Sequence, residues 1–398
     1  MNVTGIVVEY NPMHNGHINH INSCKKFTKS DAIIAVLSGN FVQRGTPAIL
    51  DKWTRTKLAL INGVDLVIEL PVIYSLSSAE FFAHGAVSIL DSLGVVNNLC
   101  FGSEYPNIES IVKISEILVK EPTLFKERLK CCLDSGLDFP SARSFALKEF
   151  LSDDVSVYLE NPNNILGIEY CKSLIKLNSN IVPCAIKREG SQYSDTSLNN
   201  NFSSASSIRK YLKNSIDIEE LKFHVPVNTF NILKKLKTEG YNFIENSDML
   251  PFIRYKYYTN KNAINNIPDV SEGIENRIFN AIENALSFDE IISLTKTKRY
   301  TYSRICRIIT QFFIGFDSYN TVNMRKSSPP YARILGFNEK GANILKLAKK
   351  NTSIPLITKV KKGKFEILDL ELQSTNAYSL LNKNIRFNQD FYFGPIII

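Results

Sequence analysis

The chain has 398 residues, 44% of them hydrophobic, which is long for one domain and comfortable for two with real cores. No run of about 18 apolar residues occurs and no basic leader with a small-residue cleavage site precedes the first apolar run, so neither a helical membrane span nor a secretory signal is expected and a cytoplasmic protein is. Seven cysteines, odd in number and without a C-x-x-C pair, argue against a disulfide framework and a structural zinc site.

The formal net charge of +8 is unevenly placed. From Lys296 to Arg333 the basic residues Lys296, Lys298, Arg299, Arg304, Arg307, Arg325, Lys326 and Arg333 face Asp317 alone, so this stretch carries nearly the whole excess.

The first element is a short apolar run, Val3 to Val8, which stops at Glu9-Tyr10-Asn11-Pro12-Met13. Ile18, Ile21, Cys24 and Phe27 then recur at helical spacing. The pattern predicts strand, tight loop, helix. At such a junction the first helical amides are unpaired and the peptide dipoles place partial positive charge, so a phosphate docks there. His14 and His17, three apart, share one helical face and both can donate to phosphoryl oxygens, while Gly16 lets a nucleotide approach the backbone. The bland alternative makes both histidines surface residues of an amphipathic helix, and the strand before them argues against it.

Further along, Asp31 to Ser38 reads as a second buried strand, Phe41 to Pro47 as a loop and Asp51 to Leu60 as a helix. Val64 to Pro71 is a third strand, Ala79 to Leu93 a helix, and Asn98 to Phe101 a strand ending at Gly102-Ser103-Glu104. This alternation predicts an α/β fold with a doubly wound parallel sheet, whose ligands bind beyond the carboxyl ends of the strands. Asn11, Gly39, Pro71 and Gly102 lie at those ends. Asp31 is read as the start of a strand and Glu69 as a structural hydrogen-bonding group rather than as metal ligands. No metal-ligating set is read from the sequence.

Asn107 to Asp154 reads as a helical insertion. Pro162 opens a helix that Asn163 or Asn164 can cap, Asn180 to Ile186 is a strand, and Lys187-Arg188 leads into a polar loop, Ser191 to Asn201. In Phe202 to Tyr211, serines at a helix start and Arg209 one turn in offer hydroxyl, amide and guanidinium donors suited to a triphosphate; an ordinary serine-capped helix is the plain alternative. Beyond about residue 212 the pattern becomes mostly helical, with a strand-rich tail at Ile354 to Asp369. A boundary near residues 212 to 225 divides a catalytic unit, 1–215, from a mostly helical basic unit, 216–398.

His14-Asn-Gly-His17 resembles the HxGH signature of the nucleotidylyltransferase superfamily. The match widens with Glu9-Tyr-Asn-Pro-Met-His-Asn-Gly-His17, Ser38-Gly-Asn-Phe-Val-Gln-Arg-Gly45, Asp51-Lys-Trp-Thr-Arg55, Val67-Ile-Glu-Leu-Pro71, Phe101-Gly-Ser-Glu104, Pro162-Asn-Asn-Ile-Leu-Gly167, Ala205-Ser-Ser-Ile-Arg209, Arg299-Tyr-Thr-Tyr-Ser-Arg304 and Pro329-Pro-Tyr-Ala-Arg-Ile-Leu-Gly336. Together these resemble the bacterial tRNA(Met) cytidine acetate ligase family.

The resemblance implies a ligase that activates acetate with ATP and Mg²⁺, releases pyrophosphate, and passes acetyl from acetyl-adenylate to N4 of the wobble cytidine of elongator tRNA(Met). It implies that ATP lies against Val7, Val8, Glu9, Tyr10, Asn11, Pro12, Met13, His14, Asn15, Gly16, His17, Ile18, Asn19 and His20. Gly102, Asn163, Arg188, Ser206 and Arg209 complete that site, with His14, His17 and Arg209 as the catalytic groups. The sequence carries Ala205 and Ser206 where the superfamily commonly has Ser and Thr. Lys298, Arg299, Arg304, Arg307 and Arg333 are expected to neutralise tRNA phosphates, and Tyr300, Tyr302 and Tyr331 to stack on loop bases. Two other readings share these features: an adenylyltransferase of a small cofactor precursor, and a non-catalytic tRNA-binding protein with a relict nucleotide site.

Overall fold

The computed structural model describes residues 1–398 other than 138, 152–154, 189–202 and 298. The polar loop expected at Ser191 to Asn201, and Lys298, lie outside the described residues.

Six strands enter in the first half of the chain: β1 (Val3–Val8), β2 (Ala32–Ser38), the short pair β3 (Phe41–Val42) and β4 (Thr46–Pro47), β5 (Leu66–Leu70) and β6 (Asn98–Ser103). β7 (Val182–Lys187), β8 (Ala332–Phe337), β9 (Leu356–Ile357) and β10 (Ile396–Ile397) follow. β2 and β5 read as unbroken apolar runs because every residue in them is buried, as in a parallel sheet covered on both sides by helices. The main sheet runs β10-β8-β5-β2-β1-β6-β7, with β9 added beside β8. β1, β2, β5, β6 and β7 pair in parallel.

The chain builds outward from β1 through β2 to β5 and then returns to β6 on β1's other side. That reversal opens a crevice at the carboxyl ends of β1 and β6, where ligands bind in open α/β sheets.

The C-terminal half is mostly helical but does not stand apart. β8 pairs antiparallel with β5, Glu69 opposite Arg333, and carries β9 and β10 in parallel. The boundary expected near residue 215 therefore falls within one continuous sheet, made mixed by β8. The tail expected to be strand-rich contributes only the two residues of β9 before a helix, Glu366–Ser379.

This sheet contact explains a second departure. Arg333, expected on a tRNA-binding surface, is 2% exposed and donates to Glu69 Oε2 and Asp390 Oδ1, both at 2.9 Å. Lys52, also fully buried, sits 2.6 Å from Glu69, 2.9 Å from Asp390 and 3.4 Å from Glu371. Burial and the neighbouring Glu69 push the Glu371 carboxyl up to about 8. Glu371 is therefore the acid of the cluster that most readily takes a proton, while the two cations sit directly against Glu69 and Asp390. The other Glu371 oxygen accepts from Val72 N at 2.6 Å.

The segment expected as a loop at Phe41 to Pro47 is a hairpin of β3 and β4 with Gln43, Arg44 and Gly45 at its tip. Gly45 has φ +83°, and a Cβ there would lie 2.3 Å from Arg307 N, so only glycine lets the tip rest on the helix Tyr302–Ile314. Thr310 Oγ1 of that helix donates to Gly45 O at 2.7 Å. Tyr300 and Tyr331, expected to stack on RNA bases, are buried instead, and Tyr300 donates its hydroxyl to Glu272 O at 2.8 Å. Aromatic rings interleaved with basic residues fit a core seam as well as an RNA face, and here the apolar rings went inward.

Candidate active site

The loop after β1 is held from below by Arg55, on helix α2 (Lys52–Ile61), whose N-terminus Asp51 caps by accepting from Trp53 N and Thr54 N. Fully buried, Arg55 donates to Glu9 O at 2.7 Å, Ser38 O at 3.0 Å and Leu50 O at 2.9 Å, and also to Gly39 O. One guanidinium thus ties the carboxyl ends of β1 and β2 together. Asn11 extends the lattice: its side chain accepts from Ile49 N at 2.9 Å, and its carbonyl accepts from Arg209 Nη1 at 2.7 Å.

Helix α1 (Asn15–Thr28) follows, with His14 at its N-cap. The backbone N–H of His14 donates to His17 Nδ1 at 3.1 Å, which leaves the His17 proton on Nε2. The two imidazoles stack with centroids 3.7 Å apart, and the Tyr10 ring meets His17 edge-on at 4.9 Å. A Cβ on Gly16 would approach the His14 ring to 3.0 Å, so the glycine makes room for that ring.

These groups open on a cavity of about 300 Å³. Val7, Val8, Glu9, Tyr10 and Asn11 line it from β1 and its loop; His14, Gly16, His17, Asn19 and His20 line it from α1. Gly102, Asn163, Arg188 and Arg209 close it from the far side. Five expected contacts stay out of the lining: Pro12, Met13, Asn15, Ile18 and Ser206. Met13 is fully buried in the core, Asn15 donates to Phe223 O at 2.9 Å, and Ser206 Oγ accepts from Arg209 Nη2 at 3.1 Å. The helix Ala205–Asn214 is capped by Ser204, and Ser203, Ser204 and Ala205 form its share of the wall.

Gln43 and Arg44 from the hairpin, with Phe82 and Tyr170, also line the cavity. Sequence reasoning missed them, although Gln43 and Arg44 belong to a stretch that carried the family resemblance. Gln43 N donates to Glu9 Oε1 at 2.8 Å. Glu104 is the other unforeseen part. It accepts from Asn163 Nδ2 at 2.5 Å and Asn164 N at 3.2 Å and lies 3.8 Å from Arg188, so it aims two expected nucleotide contacts at once. Asn161, rather than Asn163 or Asn164, is the N-cap of the helix Pro162–Lys176; Asn164 is buried and accepts from Ser103 Oγ at 2.6 Å.

Electrostatically the site is cationic through its arginines rather than its histidines. Burial, then the charges of Arg188 and Arg209, holds His14 down at about 3; burial and Arg188 hold His20 at about 4. His17 lies well below the ordinary imidazole value, through burial, the two neighbouring histidines and Arg188. All three rings are neutral at pH 7, each offering one N–H donor, while burial raises the Glu9 carboxyl. The unfolded chain takes up these imidazole protons near pH 6.5 and the folded chain does not, so the histidines' contribution to stability is complete above pH 6.5 and is lost as pH falls toward 4 and 3. Denaturant titrations between pH 7 and 4 should show the stability difference between wild type and His20→Gln shift toward the variant by up to about 1.4 kcal/mol per pH unit below 6.5. A pH-independent difference would mean that His20 takes up its proton at the same pH in the folded chain as in the unfolded one.

A second hollow, about 400 Å³, is bounded by Tyr257 to Asn262 and Glu283. Lys261 is its one cationic lining side chain, against Arg44, Lys187, Arg188 and Arg209 around the first, so the first has the charge that suits a triphosphate. Among the described residues no three His, Cys, Asp or Glu side chains gather to hold a metal, and no helix is long and apolar enough to cross a membrane.

A strand-loop-helix at a sheet reversal, with a histidine pair at the helix start, is the architecture of a nucleotidyl transferase, and the family model described as HIGH Nucleotidyl Transferase matches residues 1–391. Over its full length the chain is 53% identical to the tRNA(Met) cytidine acetate ligase of Clostridium kluyveri, covering 99% of it, and 52% identical to that of Clostridium tetani, covering all of it. Among solved structures it is similar to apo Thermotoga maritima TmcAL, with TM-score 0.92, 37% identity and both chains fully covered. The same protein bound with alpha-thio ATP gives TM-score 0.88 at 35% identity, covering 100% of this chain and 99% of that one. The chain belongs to the tRNA(Met) cytidine acetate ligase family of HIGH nucleotidyl transferases.

Proposed function

We propose that this protein is an ATP-dependent acetate ligase that acetylates N4 of the wobble cytidine of elongator tRNA(Met), acting in the cytoplasm. The observation that carries the reading is the convergence of the stacked His14–His17 pair, Arg188 and Arg209 on one cavity at the β1–β6 reversal, in a chain whose full-length relatives are named as such ligases.

In the first step an acetate oxygen attacks the α-phosphorus of ATP, a P–O bond forms, the α–β bridge breaks and pyrophosphate leaves. Acetate is already an anion, so the protein's work is to neutralise the triphosphate and align the attack. Arg209 and Arg188 supply charge; His14 and His17 supply neutral N–H donors that need no proton release as charge shifts to the leaving group. Mg²⁺ would arrive with the triphosphate and would supply further charge neutralisation there, since among the described residues no three His, Cys, Asp or Glu side chains gather to hold it. In the second step the cytidine N4 attacks the acetyl carbonyl, an N–C bond forms, AMP leaves, and the amine gives up a proton.

Incubation with ATP and labelled acetate, with and without tRNA, tests this directly. The expected result is acetate-dependent pyrophosphate release and label in elongator tRNA(Met). Adenylyl transfer to a mononucleotide, or binding without turnover, would refute it.

A further inference from the structure

Acetyl transfer needs a base that adenylation does not. When the cytidine N4 attacks the acetyl carbonyl, the nitrogen gains positive charge and has to lose one proton, whereas the acetate that attacks ATP has none to lose. A side chain of the cavity placed to accept that proton lowers the second barrier.

Most titratable groups near the cavity are unsuited to this. His17 already accepts from the His14 N–H at Nδ1 and keeps its proton on Nε2, so it can only donate. Burial, and then the charge of Arg188, opposes uptake of a second proton by His14 or His20. Glu104 stands outside the lining and is engaged by Asn163, Asn164 N and Arg188.

Among the described residues Glu9 is the one carboxylate that lines the cavity. It directly follows β1 and is half-buried; Arg55 holds its carbonyl at 2.7 Å, and its Oε1 accepts from Gln43 N of the hairpin tip at 2.8 Å. The main-chain amide fixes the direction of the carboxylate and does not itself titrate. Negative charge on the wall of a triphosphate site works against nucleotide binding, so neutralising the nucleotide does not account for it. Arg55 from α2, Arg209 from the helix Ala205–Asn214 and Arg44 from the hairpin face Glu9 with positive charge, and Tyr170 faces it from the helix Pro162–Lys176. Burial lifts the carboxyl above its ordinary value against the Gln43 N–H and these three charges, which makes Glu9 a stronger proton acceptor than a solvated carboxylate.

We propose that Glu9 is the proton acceptor of the acetyl-transfer step. As the N4–C bond forms and the bond from the acetyl carbon to the AMP oxygen breaks, the N4 proton passes to a Glu9 carboxylate oxygen and AMP leaves with the electron pair of the broken bond. The protonated carboxyl returns its proton to solvent once the products have left. This assignment rests on the acetyl-adenylate reading above.

The test separates the two half-reactions in the full-length protein. Glu9→Gln keeps a side-chain oxygen for the Gln43 N–H but cannot take the proton. Single-turnover acetyl transfer to elongator tRNA(Met) from enzyme loaded with acetyl-adenylate should fall about a hundredfold in this variant, while acetate-dependent ATP–pyrophosphate exchange should fall no more than about fivefold. In wild type the transfer rate should decline as pH is lowered below neutral and Glu9 takes up its proton, and the variant should lose that dependence. Equal losses in both half-reactions would make Glu9 a nucleotide contact and overturn the assignment. Transfer by the variant at the wild-type rate, or a wild-type transfer rate that does not respond to pH, would overturn it as well and leave the proton to the AMP phosphate. Wild type without acetate-dependent exchange would instead refute the acetyl-adenylate reading, and this assignment with it.

Discussion

His17→Ala should lower acetate-dependent pyrophosphate release roughly a hundredfold, equivalent to about 3 kcal/mol of lost transition-state stabilisation. The substitution removes the Nε2–H donor, the acceptor for the His14 amide and one half of the ring stack, all at the opening turn of α1. Because His17 is neutral, the loss is that of a positioned dipole rather than of a charge, and adding salt should not reproduce it. Steady-state pyrophosphate release by wild type and variant, with melting curves to show both folded, checks it. Turnover within a fewfold of wild type would remove His17 from the chemistry.

Arg333→Met should destabilise the protein by about 3–5 kcal/mol while leaving the tRNA affinity of the folded protein unchanged. The reason is the balance around Lys52. Arg333 and Lys52 pair with Glu69 and Asp390; removing one cation leaves a carboxylate buried without compensation. The same cluster joins β5, β8, α2 and the helix Glu366–Ser379, so its loss acts where the C-terminal half meets the sheet. Denaturant midpoints and a binding titration at low temperature separate the two outcomes. Unaltered stability with weakened tRNA binding would return Arg333 to the RNA surface.

The contrast between these two residues shows what could be read from the chain itself. His14 and His17 are legible because every element that gives them meaning is local: a strand, a turn and a helix start within fifteen residues. The order β1, β2, β5, β6 is legible for the same reason, each strand following its predecessor by a helix. Arg333 is not, because its partners Glu69 and Asp390 lie 264 and 57 residues away and the pairing depends on β8 returning antiparallel to β5. A cation count along the sequence cannot distinguish a guanidinium that faces water from one that neutralises a distant carboxylate. The hairpin at Gln43 and Arg44 was hidden differently. Two-residue strands carry too little alternation to stand out, and only the contact of Gly45 with Arg307 shows why the tip is there. Glu104 sat in view at the end of β6, but its task of aiming Asn163 and Arg188 requires three segments to meet.

A crystal structure of this protein with a non-hydrolysable ATP analogue tests the account most directly. The account predicts the triphosphate within hydrogen-bond distance of the His14 and His17 rings and of Arg209, with the α-phosphorus open toward Glu9 and Arg44. A nucleotide seated in the hollow by Tyr257, or in the β1–β6 crevice with its phosphates away from both imidazoles, would contradict it.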